Sequence, residues 1–346
     1  MKKLLILLAL VSLLPFHASA LELSPPEAPD AAQEYMPDDT TSFTEGLYYV
    51  VKQAIKQLHP SFAEASQVAL TLITTVLLTS ILRNFSGSSK YVVDLIASLC
   101  ISICLVKSAN SMVNLGIATV EEISQYGKML VPVMTAALAA QGGLTTSASL
   151  YAGTTLFSAI LSVGIKQLIV PLIYIYMVLC IAHGAIGEQT LKALKDLAKW
   201  LITWCLKIVL YVFTGYLSIT GVISGATDAT TLKAAKLAVS SAVPVVGNII
   251  SDASETIVLS AGIVKNSIGI YGLLVVAAIW IEPFIRTGAQ YLLLKLVAAV
   301  CAAIGGKESV CLINDFAVIM GFLVAMTGTV CLLLLVSTIC FLKGVG

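Results

Sequence analysis

Beyond residue 60 this chain carries a single histidine, His183, set between Ala182 and Gly184. One imidazole would have to serve every serine in turn, so a Ser–His–Asp constellation cannot be assembled. No second histidine stands at zinc-site spacing, and neither HExxH nor a GxxxxGK[ST] phosphate loop is present. A pair of membrane aspartates can make an acid protease, but Asp94, Asp228, Asp252 and Asp315 fall near the ends of apolar runs rather than in their middles. Of the eight cysteines, Cys100, Cys104, Cys180, Cys205, Cys331 and Cys340 lie inside apolar runs, where a thiol behaves as a small hydrophobe. Only Cys301 and Cys311, flanking Gly305-Gly306-Lys307-Glu308, stand where a pair could form. The reading is of a non-enzyme with no catalytic, cofactor-binding or metal-binding residues.

The elements that hold these residues are membrane-grade. The chain is 58% hydrophobic and 11% charged, with a mean hydropathy of +0.96, which is not a soluble globular composition. Lys+Arg 20 against Asp+Glu 19 leaves no net charge to steer nucleic acid. The expected fold class is all-α: a polytopic helical membrane protein solvated by the lipid bilayer, with five to eight spans, some broken or re-entrant.

Three regions are expected. Residues 1–20 read as a cleavable signal peptide: Lys2 and Lys3, a short apolar run, then Ala18-Ser19-Ala20. Residues 21–60 read as an exported acidic segment followed by a short amphipathic helix with Leu47, Val50, Val51, Ile55 and Leu58 on one face. Up to Glu45 that segment has seven acids and no Lys or Arg. Residues 61–346 read as the membrane domain.

Candidate spans begin at 67–82 and 91–106, joined by a loop with Arg83 and Lys90 but no acid, which favours the cytoplasm. Residues 107–128 read as an amphipathic connector centred on Glu121 and Glu122. Apolar blocks follow at 130–140, 150–165, 168–186, 201–223, 257–285, 291–304 and 316–342. Residues 187–199 carry a Leu191/Leu194/Leu197 stripe against Lys192, Lys195 and Lys199, and read as an interfacial helix on the cytoplasmic side. An internal repeat is also expected, residues 127–223 against 239–342, because Pro132/Pro171 and Pro244/Pro283 share one spacing.

A polar, helix-breaking patch stands out from this background. Gly221 and Gly225 form a small-xxx-small surface, with Asp228 just beyond. Pro244 should end or kink the helix before it, and Gly247 and Asn248 follow. Asp252 and Glu255 have capping-box spacing for a new helix, whose apolar face is interrupted by Lys265 and Asn266. A lysine at the bilayer centre is costly, so Lys265 is expected to face protein, water or the interface. The whole reads as a helix–break–helix docking or assembly element on the exported side.

Residues 221–272, reading GVISGATDATTLKAAKLAVSSAVPVVGNIISDASETIVLSAGIVKNSIGIYG, resemble the central signature of the stage III sporulation protein AE family. So do QGGLTTSASLYAGT at 141–154 and the signal followed by an acidic segment; the similarity runs from about Phe43 to the C-terminus. The resemblance implies a multi-pass protein of the mother-cell membrane that surrounds the forespore. It further implies membership of a channel or secretion-like complex with other proteins of the stage III sporulation A operon, including a cytoplasmic ATPase, and indirectly with forespore protein Q. Such a complex is needed for late forespore gene expression. The family brings no catalytic residues, and 221–272 is where assembly contacts are expected. The alternative reading is an independent secondary transporter with proline-broken helices, which should carry converging polar residues at mid-membrane.

Overall fold

The computed structural model describes residues 24–37, 42–56, 58–86, 90–242, 247–304 and 307–344, with side chains placed outside 58–61, 64, 220–242 and 247–261. The proposed signal peptide and Pro244 lie outside the described residues. Among those described, the regular elements are helical: α1 (Asp30–Gln33), α2 (Phe43–Lys56), α3 (Leu58–Phe85), α4 (Lys90–Ala140), α5 (Leu144–Gly164), a π-turn (Ile165–Ile169), α6 (Val170–Ile186), α7 (Gln189–Ala242), α8 (Gly247–Ala302) and α9 (Lys307–Lys343).

Six helical runs among the described residues are long and apolar enough to cross a bilayer: Ala65–Phe85, Lys90–Ala140, Leu144–Ile186, Gln189–Ile219, Gly262–Ala302 and Lys307–Lys343. They run up and down, so the ends of α3, α6 and α8 and the starts of α4, α7 and α9 share one end, here called basal. The turn at 141–143, the last residues of α7, the first of α8 and the end of α9 share the other, distal end. Ser80 of α3 donates to the Ile304 carbonyl at 2.7 Å, which ties α3 to the end of α8. At the distal end the Gly262 backbone abuts the Gln141 side chain.

α9 lies at the centre, packed on α4, α5, α6, α7 and α8. It buries Leu312, Phe316, Ile319, Met320, Leu323, Met326, Val330, Leu334 and Phe341. Apolar residues on several sides are what a helix surrounded by other helices requires. Glycines let the backbones close: a Cβ on Gly184 of α6 would already touch Leu312, and one on Gly153 of α5 would enter the Tyr216 ring of α7.

Several expected boundaries are corrected. Residues 107–128 are no connector but the middle of the 51-residue α4. The separate blocks 150–165 and 168–186 form one pass, because the π-turn carries the helix past Lys166 and Pro171 falls in the first turn of α6. The Val170 N–H bonds back to the Ile165 carbonyl, and the proline follows this widened turn. Residues 189–199 are the first turns of α7, not a separate interfacial helix. Asp252 lies inside α8, past its start at Gly247, so it does not cap that helix. Cys301 and Cys311 are both free thiols.

Candidate functional site

Charged groups cluster at two heights in this apolar bundle. The first is the basal end. α6 stops there because Gly187 adopts a left-handed φ of 77°, its N–H bonding back to the His183 carbonyl at 2.8 Å. Just inside, Lys195 of α7 donates to Asp315 of α9 at 2.6 Å, with side chains only 6% and 13% exposed. The Cys311 thiol, one turn before Asp315 on the same face of α9, lies 3.8 Å from that carboxylate and 4.0 Å from the Lys195 ammonium. His183 of α6 completes the group: its Nδ1 is buried and has no hydrogen-bond partner among the described residues. The ligating atoms of His183, Cys311 and Asp315 all lie within 4.8 Å of one another.

The second cluster is a belt at mid-height. Lys107, Glu121 and Glu122 sit around the middle of α4, Lys166 in the π-turn, and Glu282 and Arg286 on α8. On one side Glu121 is ion-paired to Lys166, and Ser124 shares a 2.6 Å hydrogen bond with Ser162. They open a groove of about 530 Å³ between α4 and α5, further lined by Gln125, Lys128, Thr155 and Ser158. On another side Glu282 pairs with Arg286 at 3.2 Å, and Gln290 donates to Ser108 at 2.9 Å. Arg286 and Gln290 line a second hollow of about 380 Å³ with Gln67, Thr71, Lys107 and Ser111. The N-terminal segment reaches this belt. Tyr35, with 2% of its surface exposed, hydrogen-bonds Glu282, and its phenol is pushed up to about 12 by burial and by the charges of Glu282 and Glu34.

Most of the residues singled out in the sequence lie in stretches whose side chains are outside the described set. Gly221, Gly225 and Asp228 lie on α7, and Gly247, Asn248, Asp252 and Glu255 on α8, where side chains are outside the described set. Lys265 is buried, 3% exposed, while the adjacent Asn266 is exposed on another face of α8. Lys265 therefore faces protein. The pairs that do converge, Lys195–Asp315 and Glu121–Lys166, were legible as separate charges but not as partners. Polar residues at helical spacing were the available signal: Glu121/Gln125/Lys128 on α4, Ser158/Ser162 on α5 followed by Lys166 in the π-turn, and Cys311/Asp315 on α9.

Six candidate spans and a buried ion pair between two of them define a multi-pass helical membrane protein. The profile of the stage III sporulation protein AE family matches residues 33–344. The chain belongs to that family, and with it to sporulation. It is 25% identical over 239 residues to the stage III sporulation protein AE of Bacillus subtilis (strain 168), a match that covers 69% of this chain and 58% of the relative. No solved structure matches significantly.

Proposed function

We propose that this protein is a non-enzymatic membrane component of the channel or secretion-like complex that joins mother cell and forespore, seated in the mother-cell membrane around the forespore. The observation that carries this reading is the height of the bundle. The pass Leu144–Ile186 contains 43 residues, about 65 Å at roughly 1.5 Å per residue, against a hydrocarbon core of about 30 Å. A bilayer therefore covers half of it, and the mid-height belt of charge is the natural boundary.

The basal half is the membrane storey. α3 spans Leu58–Phe85; its stretch from Ala65, which lines a hollow with Arg286 and Gln290, to Phe85 has 21 residues, the length of one bilayer crossing. Arg83, Lys90, Lys192, Lys199 and Lys307 crowd the basal end, which supports a cytoplasmic placement for it. The acidic N-terminal segment packs on α8 and touches it at Glu282, so water and exported chain reach the belt from the other side. The distal half then stands outside the bilayer with Leu156, Ile160, Tyr211, Val212 and Ile339 exposed.

Apolar surface in that position calls for protein cover, and the Glu121–Lys166 groove gives it polar register. The partners of this storey are the other proteins of the stage III sporulation A operon and, through them, forespore protein Q; the cytoplasmic ATPase supplies energy to a chain that has no nucleotide loop. Docking is expected at the element 221–272. The transporter alternative is weakened because Lys265 and Asn266 point to different surroundings. Deletion of the gene should block spore maturation after engulfment, and the protein should co-purify with the complex. Normal spores from a clean deletion would overturn the reading.

A further inference from the structure

We infer that the basal end holds a zinc site formed by His183 of α6 with Cys311 and Asp315 of α9. The argument starts from helix geometry. Residues four apart share a helix face, so Cys311 and Asp315 project together, and Gly184 lets the end of α6 approach α9 closely enough that a Cβ would touch Leu312 at 3.5 Å. That approach brings the imidazole over the pair. The three ligating atoms already lie within 4.8 Å of one another; around zinc, with bonds of about 2.0–2.3 Å, they would stand roughly 3.3–3.8 Å apart. Closing that gap takes rotamer adjustment, not movement of a helix.

The donor set is chemically selective. A thiolate, an imidazole and a carboxylate suit zinc, whereas magnesium and calcium want oxygen alone. His183 Nδ1 is buried without a partner, an uncompensated acceptor or donor that a metal bond would satisfy. On binding, Cys311 gives its thiol proton to solvent and becomes the thiolate ligand. Lys195 does not oppose this. Its ammonium, 2.6 Å from Asp315 Oδ2 and 4.0 Å from Cys311 Sγ, takes the place of an outer group that hydrogen-bonds the ligands and offsets their negative charge. Asp315 keeps its second oxygen for the metal. The ion would tie α6 to α9 beside α7, at the end of the bundle that the proposed orientation turns to the reducing cytoplasm, where thiols stay available.

The test is metal content of the full-length protein, purified in detergent through a tag without histidines. It should retain about one equivalent of zinc per chain, and cobalt exchanged into the site should show the near-ultraviolet thiolate-to-cobalt charge-transfer band. Cys311→Ser should abolish that band, and His183→Ala should weaken binding at least about tenfold, since even groups behind the ligands change affinity by 10–100-fold. Cys331→Ser, buried elsewhere on α9, should change neither, and circular dichroism with gel filtration should show all variants folded. Protein without zinc that also gives no cobalt–thiolate band would overturn the proposal. So would binding that survives both Cys311→Ser and His183→Ala.

Discussion

Lys195 and Asp315 show why a buried pair is easier to break than to replace. Each ion has left water, and each is tolerated because the other is 2.6 Å away. Lys195→Met strands the carboxylate, and should destabilise the folded protein by about 3–5 kcal/mol. Lys195→Met combined with Asp315→Leu removes both charges and should cost much less. Thermal unfolding of the three variants in detergent checks this, and equal losses would mean that the pair is not coupled. Tyr35 makes a different case at the belt. Its folded value of about 12 lies above the unfolded value of about 10, so its contribution is complete below pH 10 and fades as pH rises through 12. The N-terminal segment should therefore stay docked at neutral pH and become protease-sensitive in that alkaline window. Tyr35→Phe should remove the alkaline step; an unchanged step would place its cause elsewhere.

Between elements, the seam of α5 with α7 rests on Gly153, where the Tyr216 ring lies over the backbone and its hydroxyl donates to the Ser149 carbonyl at 2.9 Å. Gly153→Ala should displace that ring and cost about 1–3 kcal/mol. Gly215→Ala on α7, with open space around it, should be neutral or stabilising by up to about 1 kcal/mol. Melting temperatures of the two variants separate packing from propensity. The Glu121–Lys166 pair joins α4 to the π-turn with both side chains more than 40% exposed, so its stability contribution is at most about 1 kcal/mol. A loss of spore yield on Glu121→Lys, restored by adding Lys166→Glu, would therefore report assembly rather than folding; unaltered sporulation in the single variant would deny the groove a role.

The same pair explains what the sequence could and could not disclose. Helicity, membrane character and the basal turns after Arg83, Ile186 and Ile304 were legible because composition and charge mark them along the chain. The continuity of α4 through Glu121 and of α5–α6 through Lys166 was not. Each charge looks like a boundary until the partner that neutralises it is seen on another helix, and no local pattern records that partner. Lys195 misled in the same way, reading as one lysine of a polar face while its counter-ion stood on α9.

At the scale of the molecule, two apolar storeys meet at a charged belt, and orientation is the property to measure. A cysteine at Ser88 should resist membrane-impermeant thiol reagents added from outside, and one at Asn248 should react with them. Reversed labelling would turn the bundle over and place the distal storey in the cytoplasm. The proposed placement also bears on how the protein is made and how long it lasts. A helix bundle that leaves the bilayer with Leu156, Ile160 and Tyr211 bare resembles an unfinished polypeptide to the surveillance proteases of the cell surface. Synthesis must then keep step with that of the subunits covering it. Made alone, the chain should turn over rapidly, with a lifetime in pulse–chase that lengthens once its operon neighbours are co-expressed.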